Sequence, residues 1–573
     1  MDKAGFWGRN LKALSQRHPE LCDRLSKLGV NTRRYNFLQS RSGETVPALI
    51  DPNGNAHPLH SMVDPRREAT RLIDSVKDEG FLIFLGLGGP YYAEAALRSG
   101  TGLVLVLEFD LAGLTELLQN LDYALVFEDP RFRLLVDVKG KELESYILGT
   151  YQPVLYGGIR VIPLRSRTSL EGGPFAEITG VIETAIDRIS SDYSVQARFG
   201  RRWFSNIVKN IISAGQDEGS LPAVNRAAVC AAGPSLSLQI PALREKRKDL
   251  FIIAVDTSLP CLLNGGIIPD AVISIDCQHY SYYHFMDPLP EEVILFLDLL
   301  SPPLLASRSK RLKYFTGRHP FTLYASRVWK SLPELDTSGG NVTYAALSLA
   351  EELGATEIGL YGADFSYPGG ACYARGSYIY PLFEKRQNRL FPIEAQSSAF
   401  LFRTPLKKIR CLTNSLPENG ANEGGAIIGG GAASWYYETG ILKFYRERLE
   451  EKSCLMNAEL IPVFGMGAPI DNRQGGKNFP TQMVQRIFSS GKALMSGFEF
   501  LQHYKRELLK LPEPKKNAAG YLASLEGQSP FVFTTILPLA AALRHRNSIE
   551  DFGELIEKVK SHCCKEIDAA LTQ

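Results

Sequence analysis

The sequence predicts an α/β protein: two parallel-sheet regions, followed by a mainly helical C-terminal part. Three observations carry that expectation. Residues 227–275 hold three short, β-branched-rich apolar runs separated by linkers long enough for a helix each, and residues 81–107 hold two more. Beyond Ala432 the apolar residues recur at helical spacing among Lys, Glu and Arg.

In the central block, Ala227-Ala228-Val229-Cys230 breaks into Gly233-Pro234-Ser235-Leu236. The run Phe251–Val255 ends on Asp256-Thr257-Ser258, and 271–275 ends on Asp276. Uninterrupted runs fit strands buried on both faces of a parallel sheet, so the block reads as βαβαβ. Ligands of such sheets bind at the carboxyl ends of the strands. Gly233, Pro234, Ser235, Asp256, Thr257 and Asp276 therefore outline a polar-ligand site of the kind that takes a nucleotide. Gly233 lets backbone approach a ligand, and Ser235 can cap the next helix and turn amides toward a phosphate. The plainer alternative is a tight connection with two capping acids.

A second block begins with Asp336-Thr337-Ser338-Gly339-Gly340-Asn341 before a helix-like run, 342–353. The strand Glu357–Tyr361 follows and ends on Gly362-Ala363-Asp364-Phe365. Small hydroxyl and glycine residues at a helix start suit an anion or ribose, though an ordinary cap reads the same way. Tyr373-Ala374-Arg375-Gly376-Ser377-Tyr378-Ile379-Tyr380 adds phenols and one guanidinium, or else an apolar loop cover.

The N-terminal third repeats the layout: Phe81–Leu85 ends on Gly86-Leu87-Gly88-Gly89, and 103–107 ends on Glu108. An acid after the second strand is the ribose-binding arrangement of a nucleotide fold. The glycines are not in GxGxxG order, however, and Pro90-Tyr91-Tyr92 stand where a ligand would need room, so the expectation is a Rossmann-like scaffold without cofactor.

The boundaries follow from these blocks. They are an N-terminal segment 1–62 with a strand at Thr45–Ile50, a Rossmann-like domain 63–185, a helical bridge 186–222 within a helical stretch 177–212, a central domain 223–425, and a helical region 432–573. Helices are expected at 439–454, 482–511 and 549–571. The Gly- and Asn-rich stretch 414–431 reads as a linker or an active-site loop.

Composition narrows the function. The 573 residues include 64 basic and 62 acidic side chains, a balance that offers no nucleic-acid surface. Nine cysteines without a CxxC pair read as reduced thiols, with no zinc site expected. The first residues lack the apolar core of a signal peptide, and no apolar run nears the roughly 20 residues that span a bilayer. A soluble, cytoplasmic protein without membrane insertion is expected.

The ordered blocks AAGPSL, AVDTSL, GIIPDAVISIDCQ and TSGGNVTYAALSLAEELGATEIGLYGADF resemble the central domain of the motility accessory factor (Maf) family of flagellin glycosyltransferases. They are similar, more distantly, to bacterial CMP-sialic acid sialyltransferases. The resemblance runs from about Ala223 to Arg410. A related archaeal pterin diphosphokinase shares the GPSL and Pro-Asp blocks, so the domain family alone does not fix the reaction. The resemblance implies a degenerate Rossmann-like domain before a sialyltransferase-like (GT-A) catalytic domain. It also implies transfer of a nonulosonic acid of the pseudaminic, legionaminic or sialic type from a CMP-sugar to Ser or Thr hydroxyls of flagellin, in the service of motility. The partners implied are flagellin and the CMP-nonulosonic acid, with no cofactor and no metal required.

By the same resemblance the nucleotide lies against Gly233, Pro234, Ser235, Asp256, Thr257, Asp276, Thr337, Ser338, Gly339 and Asp364. Tyr373, Arg375, Tyr378 and Tyr380 serve the leaving phosphate. The sialyltransferases use a histidine base, and Maf proteins often carry His-Ala where this chain has Tyr373-Ala374. Among His279, His284 and His319, His279 is the first candidate, three residues past Asp276. Two other readings stay open: a diphosphokinase, for which no GxxxxGK[ST] is present, and a non-catalytic flagellin-binding factor on a transferase scaffold.

Overall fold

The computed structural model describes residues 3–28, 33–214, 221, 223–286, 288–410, 435–463, 465–472, 474, 493–514, 518–549 and 551–572. The chain divides into two units. One comprises Met1–Arg201 with Glu507–His562, the other Arg202–Arg506 with Cys563–Gln573.

The first unit carries an antiparallel sheet of β1 (Tyr35–Gln39), β2 (Thr45–Ile50) and β3 (Ala56–Pro58). It also carries a parallel sheet of β4 (Phe81–Leu85), β5 (Leu103–Glu108), β6 (Phe132–Val136) and β7 (Ile159–Pro163), ordered β6-β5-β4-β7. Every residue of β4 and β5 is buried, as their unbroken apolar sequences require. Leu82, Phe84, Val104 and Val106 join Leu114 and Leu117 of the helix Leu111–Asn120 in one core.

Here the predicted ribose-binding layout is given over to protein. Glu108 is fully buried and takes two hydrogen bonds from Arg167, Nη2 to Oε1 at 2.6 Å and Nη1 to Oε2 at 3.1 Å. It also accepts the Leu87, Phe109 and Asp110 amides. Gly88 sits at φ +56°, and a Cβ on it would lie 2.8 Å from both the His60 ring and Leu164. Side chains thus fill the space a phosphate would take.

The second unit is built on β8 (Arg226–Cys230), β9 (Phe251–Val255), β10 (Ala271–Ser274), β11 (Ile294–Asp298), β12 (Arg311–Phe315) and β13 (Glu357–Tyr361). A small antiparallel sheet follows, made of β14 (Tyr367–Pro368), β15 (Lys407–Arg410) and β16 (Trp435–Glu438). The last strand, β17 (Glu459–Pro462), returns to the large sheet, which is parallel throughout in the order β12-β11-β10-β9-β8-β13-β17. The helix Val342–Glu352, buried from Thr343 to Ala350, covers its middle. The alanines at 345, 346 and 350 let that helix lie close to the strands.

The structure differs from the sequence reading in four respects. The helix expected over 177–212 runs from Gly172 to Ala214, and its residues from 202 belong to the second unit rather than to a separate bridge. Strands β16 and β17 lie beyond the expected boundary at 425–432, and β17 completes the central sheet, too short at four residues to show a period. Residues 432–573 therefore do not form one helical region, because 507–562 belong with the N-terminal unit. The helix Ser529–Asn547 lies in the stretch expected to be helical but is not among the helices expected there: it is apolar almost all round and buried from Val532 to Leu543 except at Thr534, so it lacks the stripe that marks a surface helix. Residues 414–431 and 482–492 of the expected loop and helix lie outside the described residues; the rest of the latter forms Gly497–Leu509.

Candidate functional site

All strands of the large sheet are parallel, so their carboxyl ends open on one edge. After β8 comes Gly233-Pro234-Ser235. Its expected role as a cap changes here, because the Ser235 side chain makes no cap hydrogen bond to the helix Leu236–Glu245. The Ser235 hydroxyl instead donates to Asp364 and accepts the Met466 amide at 2.7 Å, while its own amide donates to Asp364 Oδ2 at 2.8 Å. Asp364, at the end of β13, is thus a clasp on the turn. Burial pushes its pKa up and the Ser235 hydrogen bonds pull it back. Gly233 serves that clasp, since a Cβ there would collide with the Asp364 carboxylate and the Gly362 carbonyl.

The two acids after β9 and β10 have a different environment. Asp256, 2% exposed, accepts Ser274 Oγ at 2.7 Å, the Thr257 amide at 2.7 Å and Thr257 Oγ1 at 2.9 Å. Asp276 is half-buried and accepts the Gln278 amide at 2.9 Å. Burial raises its pKa, and the negative charge of Asp256 adds to that. Asp276 and Asp256 thus lie near each other at adjacent strand ends.

A 3-10 turn, His279–Phe285, follows. His279 is exposed. It is His284 that turns toward the acids: its ring meets Tyr378 edge-on at 4.5 Å, and its Nδ1 is buried without a hydrogen-bond partner. Burial lowers its pKa, and the charges of Asp256 and Asp276 oppose that. With a period of three, His284 shares a side with buried Ser281, one position off the side of His279. The pattern His279-Tyr280-Ser281-Tyr282-Tyr283-His284 offers both histidines; nearness in sequence to Asp276 favours His279, whereas in the fold it is His284 that lies near Asp256 and Asp276.

The aromatic loop is fastened to the β8 turn by the Ala374 amide on Ala232 O, 2.9 Å, and the Arg375 amide on Ser237 Oγ, 2.9 Å. Tyr373 and Tyr378 lie together, rings 6.0 Å apart. Burial raises the Tyr378 pKa, with Arg403 lowering it and Asp256 raising it, so this phenol stands between a cation and an acid. Tyr380 faces away, its hydroxyl donating to the Tyr373 carbonyl at 3.0 Å. Arg375 is exposed, and the guanidinium beside the Tyr373–Tyr378 pair is that of Arg403, 3.8 Å above the Phe400 ring. Nothing in the sequence near Arg403 signalled this.

Asn341 caps the helix Val342–Glu352 through the Tyr344 amide at 3.0 Å. Among the residues ahead of it, Gly339 is buried against the Tyr344 ring, Ser338 is exposed with its amide on Asp336 Oδ1, and Thr337 is half-buried beside Gly317. Gly340, at φ +72°, lies against Tyr445, where a Cβ would come to 3.2 Å from the ring. Burial raises the Tyr445 pKa and the Asp276 charge adds to it, so this phenol from beyond the expected domain boundary links the helix start to Asp276. The sequence reading also missed Asp298, at the end of β11, although Ile294–Asp298 repeats the pattern of an apolar run ending on an acid. Burial lifts its pKa to about 7. Asn206 and Asn210 of the long helix steady these ends: Asn206 Nδ2 donates to Leu300 O at 2.7 Å, Asn210 Nδ2 to Leu299 O at 2.9 Å and Ser301 O at 2.8 Å. Among the described residues no three His, Cys, Asp or Glu side chains are placed to hold a metal ion, and no helix is long and apolar enough to cross a membrane.

A parallel sheet with polar strand ends, preceded by a smaller parallel sheet, is an α/β architecture similar to the fold of a Maf glycosyltransferase. The solved Maf glycosyltransferase from Magnetospirillum magneticum AMB-1 matches 100% of this chain and 96% of its own, with a TM-score of 0.55 at 14% sequence identity. Residues 201–370 match the family described as 6-hydroxymethylpterin diphosphokinase MptE-like. Two uncharacterized proteins of Treponema pallidum (strain Nichols) are similar in part, one 42% identical over 130 residues and one 34% identical over 135. These matches take in 22% and 23% of this chain and 46% and 64% of the relatives' own lengths, less than two thirds in each case.

Proposed function

We propose that this protein transfers a nonulosonic acid from a CMP-sugar to serine or threonine hydroxyls of flagellin, in the cytoplasm and without a metal. The observation that carries the reading is the convergence of His284, Tyr378, Asp256 and Asp276 at the carboxyl edge of a Maf-type sheet. A CMP donor brings its own leaving group. The protein must hold the nucleoside, steady the departing phosphate and take the acceptor's proton. Asp256, Thr257, Asp276 and the Thr337–Gly339 helix start hold the cytidine. Tyr373 and Tyr378 donate to the phosphate, with Arg403 supplying the positive charge. His284, neutral at ordinary pH because burial lowers its pKa, takes the hydroxyl proton. Gly233, Ser235 and Asp364 keep the β8 turn in place.

Isothermal calorimetry with CMP, beside ATP and S-adenosylmethionine, tests the nucleotide. CMP is expected to bind, and tighter binding of either competitor would sink the reading. Intact-mass analysis of flagellin from cells with and without the gene tests the reaction, with a mass difference of a nonulosonic acid per site expected.

The match of residues 201–370 to the MptE-like family supports a second reading, transfer of diphosphate from ATP to a pterin alcohol. That reaction needs Mg²⁺ and a basic clamp on the triphosphate. The strand ends carry Asp256, Asp276 and Asp298 in place of such a clamp. Production of AMP from ATP and a hydroxymethylpterin by the purified protein would replace the first reading with the second.

A further inference from the structure

We infer that the N-terminal unit binds an extended peptide segment of a partner protein along the free edge of β7. The inference stands apart from the reaction proposed above, because every residue in it belongs to the first unit.

Among the described residues strand β7 pairs with β4 alone, so one of its edges has no neighbouring strand in the four-stranded sheet. A groove of about 730 Å³ runs beside it. One wall is four consecutive residues of the strand, Arg160 to Pro163; the other includes Glu68, Leu72 and Val76, spaced four apart on one side of the helix Pro65–Asp74 and its end. The Leu164 amide bonds to Leu85 O on the β4 side. Alternation along a parallel strand then turns the Arg160 and Ile162 groups to β4 and the Val161 amide and carbonyl outward, toward the groove. An unpaired strand edge is a template for another backbone, and alternate side chains of the incoming strand then find the pockets.

The occupant's side chains can be read from the walls. Leu72, Val76 and Tyr92 are partly buried and present apolar surface. The rim holds two guanidinium groups: Arg160, paired at 3.4 Å with Glu79, and Arg165, which has no carboxylate partner among the described residues. The one wall carboxylate, Glu68, already accepts the Ser61 amide at 2.8 Å and the Tyr92 hydroxyl. His60, which also lines the groove, is buried, and its Nδ1 has no hydrogen-bond partner among the described residues. The complement is an extended segment with apolar residues at every second position and an acidic residue toward the arginines.

The test pans phage-displayed random peptides on the full-length protein and measures the enriched sequences by fluorescence polarisation. Enriched peptides are expected to alternate apolar and other residues and to carry an acid. Methylating every second backbone amide of the peptide should weaken binding by roughly tenfold, the loss of one or two net hydrogen bonds, while methylating the intervening amides leaves it unchanged. Leu72→Glu, which charges the helix wall without touching the strand, should abolish binding, with an unchanged circular dichroism spectrum as the check on folding. Arg165→Glu should reverse the preference for acidic peptides. No enrichment over a blank surface, or binding indifferent both to methylation phase and to Leu72→Glu, overturns the inference.

Discussion

The two parallel sheets answer the same sequence pattern in opposite ways. Each has a glycine turn after one strand and an acid after the next, Gly86 to Gly89 with Glu108 in the first and Gly233 with Asp256 in the second. In the first, a buried guanidinium neutralises the acid and His60, Leu164 and Tyr91 fill the turn. In the second, Asp256 is held among the described residues by hydroxyls and an amide, and an acid, a phenol and a histidine lie near it. A strand-end acid marks a place where a ligand could bind; the partner it acquires from elsewhere in the chain decides whether one does.

That contrast can be broken experimentally. Asp276→Ala is expected to abolish transfer while circular dichroism shows the fold intact, and His284→Ala to lower the rate by about 10²–10⁴. His279→Ala should leave the rate near that of the parent protein. An unfolded Asp276→Ala protein would show that this acid is structural, like its counterpart in the first sheet. Arg167→Ala should do the reverse, costing about 3–5 kcal/mol of stability in urea unfolding by stranding Glu108, with little effect on the catalytic groups.

A more gradual effect, spread over several pH units, follows from one buried histidine in each unit. Burial holds the pKa of both His60 and His319 down to about 3. Since the folded value lies below the unfolded value of about 6.5, the unfolded chain takes up protons first as pH falls. The contribution of each histidine is therefore complete above about pH 6.5 and is lost as pH falls toward 3, at up to about 1.4 kcal/mol per histidine for each pH unit. His60→Gln and His319→Gln should each remove one such share from the slope of stability against pH. The smallest expected effect is that of EDTA on transfer, which is none. A single phosphate on the leaving nucleotide carries little charge to offset, and phenols with Arg403 supply the donors. Complete loss of turnover, restored by Mg²⁺ or Mn²⁺, would instead make Asp256 and Asp276 metal ligands.

Much of this was legible in the chain because buried parallel strands read as unbroken apolar runs. Phe81–Leu85, Phe251–Val255 and Glu357–Tyr361 stand where the sequence places them. Strand-end acids were legible for the same reason, and Asp298 could have been read likewise. What resisted reading depends on long-range contact. Asp364 reaches back 129 residues to Ser235, Arg403 belongs to no strand-end motif, and Tyr445 comes from a helix assigned to another domain. Local pattern cannot tell a clasp from a ligand contact, because both ask for a short polar side chain after a strand.

The order of the units along the chain bears on how a ribosome delivers them. The first unit opens the chain, but its helix Ser529–Asn547 arrives late and bonds back to it, Arg544 donating to the Val154 carbonyl at 2.6 Å. About 300 residues of the second unit are made in between, some 15–60 s at ordinary rates of synthesis. During that interval the nascent N-terminal sheet lacks the apolar helix that completes its unit, and it is then a substrate for chaperones and proteases.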